Sequence, residues 1–275
     1  MNCAWKELLE ILPPWLGAEA DRYDRDTLQE LRLRINAPPE FISFGKVRTS
    51  RHTLTQSDLR YCVNAASKFS PWAAATSEKG YLTAPGGHRI GICGQAVMTP
   101  EQKVRIRDIT SLCIRVARDY PGIAQKAGEI SGSVLILGAP GWGKTTLLRD
   151  LCRRISQTHT LCIADERYEV FPPEIPRGGR MDVLSGCPKA VAVELLLRTM
   201  GPSYIAVDEI TAREDCEAML RSANCGVHLL ATAHGTSVKD FFSRPVYQPL
   251  AQARLFTTFL VLHRDKTYTV ERVSS

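Results

Sequence analysis

The sequence has no CxxC pair, no internal repeat, no low-complexity tract and no run approaching the roughly 20 apolar residues that span a bilayer. Its nine cysteines are odd in number and scattered from Cys3 to Cys225. That pattern argues against a disulfide framework and a zinc ribbon, and it suits a reducing, cytoplasmic setting. The opening segment MNCAWKELLEILPPWLG lacks the basic start and long apolar stretch of a signal peptide, so a soluble chain is expected. Aromatic residues make up only 7%, and no stripe of lysines and arginines interleaved with aromatics is visible, which argues against nucleic acid as a partner. The formal net charge of +6 is spread over both halves, permitting contact with acidic surfaces without arguing for it.

What is present is an ordinary globular composition, 44% hydrophobic and 23% charged, which excludes disordered, collagenous and coiled-coil chains. A length of 275 residues suggests two domains. Between residues 119 and 132, DYPGIAQKAGEISG is rich in Gly and carries Pro121, which places a linker there and a division at 124/125.

Before the division, Leu31, Leu33 and Ile35 alternate with Arg32 and Arg34, the period of a half-buried strand, with Phe41 to Phe44 returning beside it. Thr55 to Phe69 has helical spacing of Leu59, Cys62, Val63 and Ala66 behind the capping pair Thr55 and Asp58. Tyr81 to Thr83, the turn Pro85-Gly86-Gly87 and Arg89 to Ile92 form a hairpin, and Leu112, Ile114 and Val116 a last strand. Residues 1–124 are thus expected to be a small α+β domain.

Residues 125–275 alternate short apolar strands with amphipathic helices. Strands are expected at Ser133–Leu137, Leu161–Asp165, Tyr204–Asp208, His228–Thr232 and Phe259–Leu262. One helix begins after Pro188 and stops at Gly201; another carries Cys216, Met219, Leu220 and Ala223 on one face and stops at Gly226. This is the rhythm of a mainly parallel sheet covered by helices, an α/β domain.

Gly138-Ala139-Pro140-Gly141-Trp142-Gly143-Lys144-Thr145 matches G-x-x-x-x-G-K-[ST] between an apolar strand and a helix. Chance expects roughly 0.006 such windows in a chain of this composition, so the segment is read as a phosphate loop. Glycines let backbone N–H groups surround phosphate oxygens at the positive end of the following helix. Lys144 supplies a charge for the β and γ phosphates, Thr145 a hydroxyl for Mg²⁺, and Thr146 the next helical position.

A magnesium ion needs an acid at the end of a neighbouring strand, and Asp208 is the candidate. Glu209 beside it can take a proton from attacking water. No NKxD guanine motif is present, which disfavours a Ras-type GTPase. Leu184-Ser185-Gly186 has the start of a transporter-ATPase signature, but Cys187-Pro188 follow in place of Gly-Gln.

Asp165-Glu166-Arg167, the run Gly179 to Ala190, Val207-Asp208-Glu209-Ile210 and Ala231-Thr232-Ala233-His234-Gly235 closely resemble the stage III sporulation AA family of endospore-forming bacteria. Leu31 to Ile35 and Gly86 to Ile92 resemble it too, so the likeness covers nearly the whole chain. That family is similar to the secretion ATPases of type II and type IV systems. The resemblance implies a RecA-like P-loop ATPase domain, ATP and Mg²⁺ as cofactors, and a homo-oligomer, a hexamer with nucleotide between subunits. It further implies a place on the mother-cell side of the forespore membrane, held by membrane proteins of the sporulation channel and powering that channel's assembly or transport.

Carried over by the same likeness, Asp165 and Glu166 fall on the acidic box, and His228 and His234 on the histidine box, where an imidazole can sense the γ-phosphate. Arg89, Arg107 and Arg115 lie in the domain that supplies trans-acting arginines. The secretion ATPases commonly have Gly-Glu where this chain has Asp208-Glu209, a departure that bears on magnesium coordination. Two other readings stay open: a nucleotide-gated scaffold with negligible hydrolysis, and a nucleic-acid-translocating motor.

Overall fold

The structure is a computed structural model that describes residues 2–67, 80–98, 104–172 and 175–273. The chain divides into two compact units between Asp119 and Tyr120, with Ile175 grouped with the first.

The first unit carries strands β1 (Asn2–Cys3), β2 (Glu30–Arg34), β3 (Glu40–Ser43), β4 (Lys46–Thr49), β5 (Tyr81–Thr83), β6 (Arg89–Met98), β7 (Val104–Arg115) and β8 (Arg118–Asp119). Six of them form an antiparallel sheet in the order β4-β3-β2-β7-β6-β5, while β1 pairs with β8. Helices α1 (Trp5–Glu10), α2 (Pro14–Ala20) and α3 (Gln56–Ser67) contribute Leu8, Leu16 and Leu59 to the same core as Leu31, Leu33, Phe41, Ile90 and Ile114.

Leu31 and Leu33 are fully buried while Arg32 between them is exposed, so period-two patterning fixes the register of β2. The start of α3 is held by a reciprocal cap: Asp58 Oδ2 accepts from the Thr55 N–H at 2.8 Å, and Thr55 Oγ1 accepts from the Asp58 N–H at 3.3 Å. The far end expected at Phe69 lies outside the described residues. The β5–β6 hairpin turns at Pro85–Gly87 as expected, but β6 continues past Ile92 to Met98 opposite a β7 that starts at Val104. Beyond a register shift between Cys93 and Gln95 the side chains are mostly exposed. Backbone pairing alone builds that stretch, and it leaves no hydrophobic period to read.

The second unit carries β9 (Val134–Leu137), β10 (Leu161–Asp165), β11 (Met181–Ser185), β12 (Tyr204–Ile210), β13 (His228–Ala233), β14 (Thr258–Leu262) and β15 (Tyr268–Arg272). They form one sheet in the order β11-β10-β12-β13-β9-β14-β15, parallel except for the antiparallel edge strand β15. Helices α4 (Lys144–Ile155), α5 (Lys189–Met200), α6 (Arg213–Asn224), α7 (Val238–Ser243) and α8 (Gln248–Gln252) accompany it. Every residue of β9, β10 and β14 is buried, which is why these strands read as continuous apolar runs. The two strands of this sheet missing from the sequence reading lack that run: β11 is mostly half-buried and β15 mostly exposed. Gly201 ends α5 in the left-handed conformation at φ 55°.

The segment read as a linker is part of the second unit, so the observed division precedes the expected 124/125. The carboxylate of Asp150, buried on α4, accepts the N–H groups of Gly122 at 2.9 Å and Ala124 at 2.7 Å. Arg154 donates to the Ala124 carbonyl at 3.0 Å. The short 3₁₀ turn Ile123–Ala127 is thereby docked on the helix.

All nine cysteines are free. Burial pushes the thiol of Cys62 up to about 12 and those of Cys162 and Cys216 up to about 11, whereas Cys93 and Cys225 are exposed.

Asp150→Ala removes two charge-assisted hydrogen bonds and leaves two backbone donors unpaired. It is expected to lower the stability of the second unit by about 3 kcal/mol, read as a fall in its urea midpoint.

Candidate functional site

Because β9, β10, β12 and β13 run parallel, their carboxyl ends share one edge of the sheet, and the chemistry-bearing residues collect there. Strand β9 runs into the phosphate loop. A side chain at Gly138 would meet Leu262 Cβ at 3.1 Å and Lys144 Cγ at 3.3 Å, so glycine is what lets the lysine stem lie across the strand end. Gly143, at φ 104°, is the left-handed residue that turns the chain into α4. Ala139 accepts from the Trp142 N–H at 3.3 Å and from Lys144 Nζ at 3.3 Å, so the loop closes on itself. Pro140 and Gly141 form its exposed tip, while Trp142, Thr145 and Thr146 are half-buried.

The Asp208 carboxylate is held from two sides, by the Thr145 hydroxyl at 2.7 Å and the Thr232 hydroxyl at 2.6 Å. Loss of water pushes this carboxyl above the usual range, and the two hydroxyl donors offset part of the rise. Burial pushes the Lys144 ammonium down, against the attraction of Asp208 and Glu209.

A second chain of contacts crosses the same edge. Lys144 Nζ lies 3.3 Å from His234 Nδ1, His234 Nε2 lies 2.6 Å from Glu209 Oε1, and Arg167 Nη1 lies 2.9 Å from Glu209 Oε2. An ammonium has no acceptor, so Nδ1 accepts and the ring proton sits on Nε2, which donates to Glu209. Burial alone raises the Glu209 carboxyl, but His234 and Arg167 together bring it below the usual range and keep it ionised. Glu209 occupies the left-handed region at φ 59°, inside an irregularity of β12 between Val207 and Ile210. Its N–H donates to Thr232 Oγ1 at 2.7 Å. This bulge turns both acids of the Asp208-Glu209 pair toward the site.

The acidic box splits into two roles. Asp165 is buried, and its oxygens accept the N–H groups of Glu169, Val170 and Phe171 at 2.9 to 3.1 Å, so it shapes the loop after β10. Glu166 is paired with Lys189 at 3.1 Å. Lys189 is itself buried and lies 3.8 Å from Asp215. A narrow cleft is lined by Asp165, Glu166 and Lys189 together with Arg167, Glu169, Asp208 and Glu209.

Sequence reasoning singled out no role for Arg167, Lys189 or Thr232. One signal was available: Lys189 opens α5, where a cation opposes the helix dipole and therefore answers to something other than helix propensity.

Lys144, Thr145, Asp208, Glu209, Glu166 and His234 are brought to one edge; His228 is not. It begins β13, at the opposite end from His234, and leans on Tyr204 with ring centroids 5.1 Å apart. Arg89, Arg107 and Arg115 belong to the first unit. There Arg89 lies 4.3 Å over the Tyr81 ring, Arg107 is exposed on β7 and Arg115 lies 3.9 Å from Glu30.

Among the described residues no group of three or more His, Cys, Asp or Glu side chains forms a metal cage. One acid and one hydroxyl side by side, Asp208 and Thr145, form the partial donor set that suits an ion completed by ligand oxygens and water. Among the described residues no helix is long and apolar enough to cross a membrane.

Comparison with known proteins gives the family and the fold. The chain is 34% identical to stage III sporulation protein AA of Bacillus subtilis (strain 168), over 94% of this chain and 91% of that protein. Among solved structures it is similar to the ATPase DotB of Legionella pneumophila, with a TM-score of 0.57 at 18% identity over 95% of this chain and 80% of that one. It is also similar to the pilus retraction motor PilT with bound ADP, with a TM-score of 0.66 at 16% identity over 98% and 84%. These likenesses show the fold, which this chain shares over nearly its whole length with ATPases of the RecA-like P-loop kind. With the family model for sporulation stage III, protein AA matched over residues 16–273, the chain belongs to that family.

Proposed function

We propose that this protein is a Mg²⁺-dependent ATPase of the secretion-ATPase type. The observation that carries the reading is the convergence of Lys144, Thr145, Asp208, Glu209 and His234 on the edge where β9 enters the glycine loop. The main-chain N–H groups of the loop from Gly138 to Thr145, Pro140 excepted because proline has none, and the Lys144 ammonium would hold the phosphates, with Thr146 beside them, and Thr145 and Asp208 would hold Mg²⁺. When bound, MgATP supplies the phosphoryl group to be transferred and the divalent charge that offsets its negative oxygens.

The chain's own residues supply the rest. Glu209 is ionised and aimed at the site, so it can accept the proton of an attacking water. His234 joins Glu209 to Lys144, so a phosphate that recruits Lys144 also frees the His234 Nδ1 lone pair. Glu166, tied to Lys189, is the second acid of the cleft. Arg89 and Arg107 are the candidates for a guanidinium supplied across a subunit boundary.

The family and fold support a wider reading: a homo-oligomeric ring, a hexamer, in the cytoplasm on the mother-cell side of the forespore membrane. There it would be held by membrane proteins of the sporulation channel and power that channel's assembly or transport.

Three outcomes test it. Lys144→Ala should abolish ATP uptake in calorimetry. Glu209→Gln should leave ATP affinity within about twofold and slow phosphate release roughly a hundredfold; unchanged turnover would remove Glu209 from its role, and a wild-type chain that binds without hydrolysing would favour the scaffold. With a non-hydrolysable ATP analogue, sedimentation should show a hexamer mass, and a persistent monomer would overturn the ring.

A further inference from the structure

Among the described residues the first unit has an open sheet edge that the ATPase reading leaves unused. Strand β4 is the last strand of its sheet, and Lys46, Val47, Arg48 and Thr49 are all exposed. Lys46 faces Ser43 across a two-residue turn, and the Ser50 N–H donates inward to Pro39 at 3.1 Å. Even-numbered residues therefore point their main-chain groups into the sheet, while the N–H and C=O groups of Val47 and Thr49 point outward.

Two observations mark this edge as built for contact. The first is its turn, where Phe44 and Gly45 have φ of 48° and 77°. Such a turn favours Asn-Gly, and a phenylalanine in the left-handed region is disfavoured. Phe44 is held there by its N–H donating to Gln29 Oε1 at 3.0 Å, with its ring 70% exposed. Val47 beside it is 55% exposed. An edge shaped only to repel other strands would not hold two large apolar side chains in water.

The second is charge. Lys46 and Arg48 line a groove with Arg22, Tyr23 and Phe41, and Arg22 and Arg51 line the adjoining one. Among the described residues none of these four cations is in an ion pair. Two acids line the same grooves, Asp24 in the first and Glu19 in the second, so the four cations outnumber them; Glu19 accepts from the Ser50 hydroxyl at 2.7 Å and Asp24 from the Asp26 N–H at 2.9 Å.

We propose that β4 receives an extended acidic segment of a partner protein, which adds as a strand along Val47 and Thr49, sets carboxylates against Arg22, Lys46, Arg48 and Arg51, and packs on Phe44. A strand satisfies both the outward donors and the outward carbonyls. A nucleic-acid phosphate offers no donor for those carbonyls, and a second copy of β4 would set Lys46 and Arg48 against like charge.

The test uses the full chain and a fluorescein-labelled eight-residue peptide of alternating Glu and Val. Binding should fall about tenfold or more in the Arg22→Glu, Arg48→Glu double variant. It should fall equally in Val47→Pro, which removes only an outward donor and so leaves the β3–β4 ladder intact. In the wild-type chain, whatever the variants' folding, hydrogen exchange at the Val47 and Thr49 amides should slow when peptide is added. Unchanged exchange at both amides, or binding indifferent to Val47→Pro, would overturn strand addition. Tighter binding of oligothymidylate or phosphatidylglycerol vesicles through the same arginines would overturn the acidic-peptide assignment. ATP uptake is read on the same sample, so loss of the nucleotide reading is seen separately.

Discussion

One carboxylate organises the carboxyl edge of the parallel sheet. Asp208 sits between a hydroxyl from the first turn of α4 and a hydroxyl from β13, so three separate elements meet on a single negative charge. Partly removed from water, that charge raises the free energy of its ionised form, and two hydrogen bonds recover only a share. The arrangement explains a polar residue in a buried apolar run: Thr232 is fully buried, as are Leu229, Leu230, Ala231 and Ala233 around it in the strand. It also explains why the loop and the acid, distant in sequence, are one site.

The neighbouring Glu209 follows a different logic. Its left-handed backbone breaks the alternation of β12, and without that break the adjacent acids would point to opposite faces of the sheet. The irregularity places both at the same edge and feeds Glu209 into the line from Lys144 through His234 to Arg167. Local backbone strain of this kind is what a functional site retains and a purely structural strand loses.

The phosphate loop, the strands β9, β10, β12, β13 and β14, and the acids at their ends were legible because burial on both faces and glycine geometry both leave marks in the chain. Lys144, Thr145 and Asp208 were therefore legible in the sequence alone. Thr232, Arg167 and Lys189 were not, since each acts through a partner supplied by another element and nothing in its own segment announces it. His228 shows the converse: box resemblance places it beside His234, but six steps along an extended strand separate them, roughly 20 Å at a normal strand rise. The exposed half of the β6–β7 pairing was hidden because backbone hydrogen bonds carry no hydrophobic period.

The free thiols give the molecule a convenience that its chemistry does not require. Four of the nine are sealed in the two cores, and the two fully exposed ones are divided evenly, Cys93 on β6 of the first unit and Cys225 just after α6 of the second. A maleimide dye pair offered to the unaltered chain would attach preferentially at these two points, one per unit. The distance between the units is then open to fluorescence energy transfer without engineering a residue.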